Sequence, residues 1–168
     1  KLYEVGFSPL PPNSTKQRQI AKYRLPTSTE TPGLRPMERK DVNAVLNLLR
    51  RYLTRTEMAP EFTKEEVGHW LLHDEKLCPE QVVWSYVVED LKSHKITDFF
   101  SFYCLESTAI GNTKYPTVRA AYMFYYATET ALSKDKKALK DRLNMLVHDA
   151  LILAKRVCWR LVQLPATS

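Results

Sequence analysis

Glycine is scarce in this chain, with four in 168 residues. There is no G-x-G-x-x-G and no Walker A, so backbone amides have no glycine-lined approach to a pyrophosphate. The turn Thr128-Glu129-Thr130-Ala131-Leu132-Ser133 also lacks glycine, which excludes a well-formed CoA phosphate loop there. No apolar run nears the ~20 residues needed to span a bilayer, so stable membrane insertion is not expected. Lys1 to Phe7 alternates apolar residues with charge and forms no signal-peptide core. The chain opens without Met and reads as cut from something longer. Cysteine is sparse and odd in number (Cys78, Cys104, Cys158). That pattern reads as reduced thiols in a cytoplasmic protein. Internal repeats and low-complexity tracts are absent.

Charge is present but uneven. Residues 1–55 balance to +7, residues 56–133 to −6 and residues 134–168 to +5. Basic ends suit nucleic acid, anionic lipid or a phosphorylated cofactor, and solvated helix faces account for the same pattern. The acidic centre suits a basic peptide better than a phosphate backbone.

The chain is organised around two aromatic stretches, Ile96 to Leu105 and Val118 to Ala127, both bounded by turn signals as buried strands are. A third strand covers Gln81 to Glu89, with a polar connection at 90–95. These predict a three-stranded antiparallel meander. The loop from Glu106 to Pro116 is long enough to hold a ligand. Lys1 to Phe7 reads as a short strand, and Thr15 to Tyr23 as one or two helical turns. Residues 26–33 are a connector, so 1–33 is expected as an arm laid across a body. Leu34 to Met37 is extended. Val42, Val45, Leu46, Leu49 and Leu53 share one face of a helix over about 38–55. Thr63-Lys64-Glu65-Glu66 is a capping box opening a short helix. A long helix starts near Leu132, with Ser133 as its N-cap, and runs to about Val157. Residues 158–164 read as a frayed helix end or a strand.

Each chemical candidate has a plain alternative. His69 and His73 stand four apart, a metal-ligand spacing with Cys78 as a third donor. No Glu follows the first His, and incidental surface histidines explain the pair as well. Ser107 lacks a G-x-S-x-G elbow, which disfavours a nucleophile and leaves a polar wall of a groove or a solvent-facing loop serine. The aromatic concentration of Tyr103, Tyr115, Tyr122, Tyr125 and Tyr126 with Phe99, Phe100, Phe102 and Phe124 divides between core and peptide groove. An RNA-stacking surface is disfavoured, because no RNP motif and no interleaved Lys/Arg accompany the rings.

Several blocks resemble the C-terminal half of the N-myristoyltransferases. They are Leu2-Tyr3-Glu4-Val5-Gly6-Phe7-Ser8, Tyr23-Arg24-Leu25-Pro26, Gly33-Leu34-Arg35-Pro36-Met37 and Val67-Gly68-His69-Trp70. Two more are Thr97-Asp98-Phe99-Phe100-Ser101-Phe102-Tyr103 and Asp149-Ala150-Leu151-Ile152-Leu153-Ala154-Lys155. The resemblance runs from Lys1 to about Val157. It implies an α+β, GNAT-like half domain over 34–157, incomplete at its C-terminal end, with 158–168 as an atypical tail. It implies an enzyme that transfers myristate from myristoyl-CoA to the N-terminal glycine of proteins. The N-terminal half of that enzyme binds the acyl-CoA and supplies the oxyanion hole. The C-terminal half forms much of the peptide groove, where Phe7 and Tyr122 would be aromatic walls, Ser107 a polar contact and Val118 an apolar one. The expected partners are N-terminal glycine peptides and the N-terminal half of the same enzyme, with no nucleic acid.

The resemblance also has gaps. The Glu-[Ile/Val]-Asn-Phe-Leu-Cys and Lys-Phe-Gly-x-Gly-Asp-Gly signatures are missing, and the carboxylate of Ser168 is not the family's catalytic one. No catalytic residue and no cofactor site are therefore expected in this chain. It is expected to be inactive alone, at most a peptide-binding or assembly module. A downstream strand missing beside Val118 to Ala127 would leave an open, aggregation-prone edge.

Overall fold

The computed structural model describes residues 3–6, 8–76 and 78–162, the last five as backbone only. Four helices and four strands are seen among them: α1 (Lys16–Lys22), β1 (Leu34–Pro36), α2 (Val42–Leu53), α3 (Lys64–Leu71), β2 (Val83–Glu89), β3 (Ile96–Thr108), β4 (Thr117–Thr128) and α4 (Lys136–Val162). The strands form one antiparallel sheet in the order β1-β2-β3-β4. The expected meander therefore gains a fourth strand, because the extended 34–36 segment pairs with β2. Among the described residues β4 is an edge.

Strand alternation gives the sheet two buried faces. Val87, Phe99 and Ala127 pack with Val45, Leu49, Val67 and Leu71 of α2 and α3. Val88, Phe100 and Phe102 pack with Leu146 and Ala150 of α4. The α2 stripe is the one its sequence spacing dictates, entered by a 3-10 turn over Arg39–Asp41. The α3 capping box is present: the Thr63 hydroxyl accepts from Glu66 N at 3.2 Å, and the Glu66 carboxylate accepts from Thr63 N at 2.8 Å. Those bonds to Thr63 hold the Glu66 carboxyl below its ordinary value.

Several expectations are corrected. Residues 3–6 form turns rather than a strand, since Gly6 takes φ +74° and no sheet edge pairs with them. β3 runs on through Glu106, Ser107 and Thr108, so the connecting loop spans only 109–116; cross-strand pairing to 117–119 extends it. α4 begins later than expected, after a 3-10 turn over Glu129–Leu132. Its cap is Asp135, whose carboxylate accepts from Lys137 N (2.9 Å) and Ala138 N (3.0 Å), while the Ser133 hydroxyl donates back to Thr130 O. α4 continues as helix to Val162, through the first part of the expected tail.

Buried charges lock the layers together. Arg142 of α4 donates to both oxygens of Asp98 on β3, a carboxylate 1% exposed. Arg35 donates bidentately to Asp41 (2.7 and 2.9 Å) and to Glu89 (2.8 Å), joining β1 to the start of α2 and the end of β2. Asp41, then Glu89, raises the Arg35 guanidinium further above its ordinary value. Asp149, fully buried on α4, accepts from Glu30 N and Thr31 N at 2.9 Å each, which fixes the connector to the body. Gly33, at φ +74°, passes so close to Glu89 O that a Cβ would stand 2.0 Å away.

Candidate functional site

The β3–β4 hairpin positions the site. Its register sets Tyr103 opposite Tyr122, Leu105 opposite Ala120 and Ser107 opposite Val118. With alternation, these six residues share one face, the side on which Phe99 meets α2 and α3. Three of the four residues singled out in the sequence, Ser107, Val118 and Tyr122, are therefore brought together. The fourth, Phe7, lies outside the described residues. Ser107 belongs to a strand, not the loop, which fixes its side-chain direction. Val118 is buried at 9% exposure, whereas Tyr122 is 36% and Leu105 47% exposed. A strip of mixed apolar and hydroxyl character thus meets solvent at one end of the sheet.

Aromatic contacts tie that strip to the core. Tyr122 stacks on Tyr103 with ring centroids 5.5 Å apart and planes 20° off parallel. Tyr103 meets Phe124 edge-on at 5.5 Å, Phe124 meets Tyr125 at 4.5 Å, and Tyr125 meets the buried Phe62 at 5.0 Å. A bulge makes this path possible. Phe100 pairs with Tyr126 but Phe102 with Met123, so Phe124 and Tyr125 together face Ser101. The Ser101 hydroxyl accepts from Tyr125 N and donates to Tyr125 O, both at 3.1 Å, and so satisfies the backbone that the bulge takes out of the ladder.

The opposite face of the hairpin carries the Glu106–Arg119 cross-strand ion pair. At its end, Asn112 donates to Glu4 O at 3.1 Å, and Lys16 donates to the Glu4 carboxylate at 2.8 Å. The Lys16 hydrogen bond holds the Glu4 carboxyl down to about 2. The turn at 3–6 is thereby fastened to the hairpin loop at Glu4.

Other candidates do not assemble. α3 ends at Leu71, so His73 is off the helix and the shared-face argument for His69 and His73 fails. Among the described residues no group of three His, Cys, Asp or Glu is placed to hold a metal. None of the described helices is long and apolar enough to cross a membrane. A cavity of about 730 Å³ lies by Pro26, Tyr86, Ile152, Leu153 and Arg156, sharing no residue with the strip. Burial raises the Tyr86 phenol there. The Arg142–Asp98 and Asp149 contacts were missed in the sequence. Their signal was an acid placed inside an apolar stripe.

Comparisons with known proteins identify the family. Residues 4–161 match the family described as myristoyl-CoA:protein N-myristoyltransferase, C-terminal domain. A glycylpeptide N-tetradecanoyltransferase from Aspergillus fumigatus is 65% identical over 156 residues, covering 93% of this chain and 32% of that protein. One from Saccharomyces cerevisiae is 46% identical, covering 92% and 36%. A crystal structure of the Saccharomyces cerevisiae N-myristoyltransferase with bound myristoyl-CoA superposes with a TM-score of 0.83 at 45% identity, over 92% of this chain and 37% of that one. The chain spans about a third of the length of the curated relatives it matches. The α+β architecture expected from the resemblance, an antiparallel meander with packed helices, is the one found.

Proposed function

The chain belongs to the myristoyl-CoA:protein N-myristoyltransferase family, and on that premise we propose that it forms much of the peptide groove of a protein acyltransferase. In the whole reaction the amine nitrogen of an N-terminal glycine attacks the thioester carbonyl of myristoyl-CoA. The new C–N bond replaces the C–S bond, CoA leaves as thiol, and the amine proton passes to a base. The observation that carries our reading is the shared face of Ser107, Val118 and Tyr122. Tyr122 offers an exposed aromatic wall, Ser107 a hydroxyl for a peptide carbonyl or amide, and Val118 an apolar backing. Phe7 is assigned a second aromatic wall on the strength of the resemblance.

Acyl-CoA binding, oxyanion stabilisation and the base are assigned to the N-terminal half, the expected partner, and to the remainder of the second half. An amine held without a base stays protonated and does not attack. This chain by itself therefore serves as a peptide-binding part without turnover. A reducing, cytoplasmic setting, expected from the sparse and odd-numbered cysteines, fits this reading.

The test is a fluorescence titration of the purified chain with a short peptide beginning with glycine. Binding is expected, and Tyr122→Ala should weaken it by about tenfold, the usual loss for an aromatic contact at a binding surface. Equal binding by that variant would refute the groove. Myristoylated product formed from myristoyl-CoA by the chain alone would refute the division of labour.

A further inference from the structure

We infer that Tyr103 is a positioning residue of the peptide site, holding the Tyr122 wall at a set angle through a ladder of rings that ends in the core. The inference rests on the groove reading above and extends it to a residue that does not itself form the wall. Tyr122 is more than a third exposed, on a strand that is an edge among the described residues. Burial alone does little to restrain its ring. The stack on Tyr103 restrains it: the two are register partners, centroids 5.5 Å apart and nearly parallel. Tyr103 is in turn braced edge-on by Phe124. That contact exists because the bulge, closed by Ser101, turns Phe124 and Tyr125 toward the α2–α3 cluster in succession, where regular alternation would send one of them to the far face. Phe124 and Tyr125 complete the path to Phe62, 7% exposed. Ring pairs of this geometry favour one arrangement over others, so the ladder transmits the rigidity of the core to an otherwise free surface ring. A wall held in its bound orientation binds peptide with less ordering cost.

The hydroxyl of Tyr103 plays no part in this account; the ring does. Tyr103→Phe should therefore behave as the wild type, and Tyr103→Leu should not. Two readouts are needed on the same purified chain. The first is NMR of ring-labelled tyrosine, following Tyr122. In Tyr103→Leu its signals should move toward those of a freely rotating surface tyrosine, with the melting temperature unchanged. In Tyr103→Phe they should stay in place. The second is the titration with the glycine-initiated peptide, where Tyr103→Leu should bind about tenfold more weakly, the upper end of what a ring pair contributes. An unaltered Tyr122 ring in Tyr103→Leu overturns the inference whether or not peptide binds. A freed ring with unaltered peptide affinity also overturns it, since the orientation then serves no binding. A freed ring in a chain whose wild type binds no peptide sinks the groove reading itself, and the positioning role with it.

Discussion

At its base the β3–β4 hairpin buries Phe99, Phe100 and Phe102 to 2% exposure or less, between α2–α3 on one face and α4 on the other. Toward its turn the same two strands, still aromatic and still paired, leave Leu105 and Tyr122 in the open. Residue type does not separate the two ends. What separates them is which helices reach that far: α2, α3 and α4 cover the base, while the turn end has the loop 109–116 and the arm at Glu4. The base therefore provides stability. The free end leaves apolar and hydroxyl groups exposed, where we propose that peptide binds, and the ring ladder joins the two.

The sharpest test of this contrast is a matched pair of truncations. Phe99→Ala should cost about 3–5 kcal/mol, as large buried aromatics do, and Leu105→Ala under about 1 kcal/mol, both read from urea unfolding. Comparable losses would dissolve the distinction. Next, Arg142→Met should cost about 3 kcal/mol, because the Asp98 carboxylate then stays buried without its partner. Adding Asp98→Leu to it should recover much of that loss.

At the free end, Arg119→Ala should cost less than about 1 kcal/mol despite its ion pair with Glu106, since both groups meet water. A larger loss would show that the hairpin tip is as rigid as its base. The smallest effect concerns the arm. The Glu4 carboxyl titrates at about 2 when paired and at 4.5 when free. A lowered folded value favours the folded arm above pH 4.5, and that contribution is lost as pH falls through 2. The Glu4 side-chain signals should titrate near pH 2, and at higher pH in Lys16→Ala.

Much of the fold was legible from local pattern. The α2 stripe at 42–53, the α3 capping box and the aromatic strands follow from spacing and side-chain chemistry that act within a few residues, so one strand of text carries them. The resemblance supplied the residues proposed for the groove. Register was not legible, because the pairing of Ser107 with Val118 and of Tyr103 with Tyr122 depends on where the β4 bulge falls. The expected strand over 1–7 failed in the described turn at 3–6 for a related reason: alternation in sequence makes a strand only if an edge is there to receive it.

The sequence by itself thus determined most of the elements, the family and which faces are apolar, since those depend on composition and period. Only the tertiary structure decided which aromatic residues became core and which became surface. That outcome depends on how far each helix extends over the sheet and on a single extra residue in β4, and neither is encoded in the local pattern around any one ring.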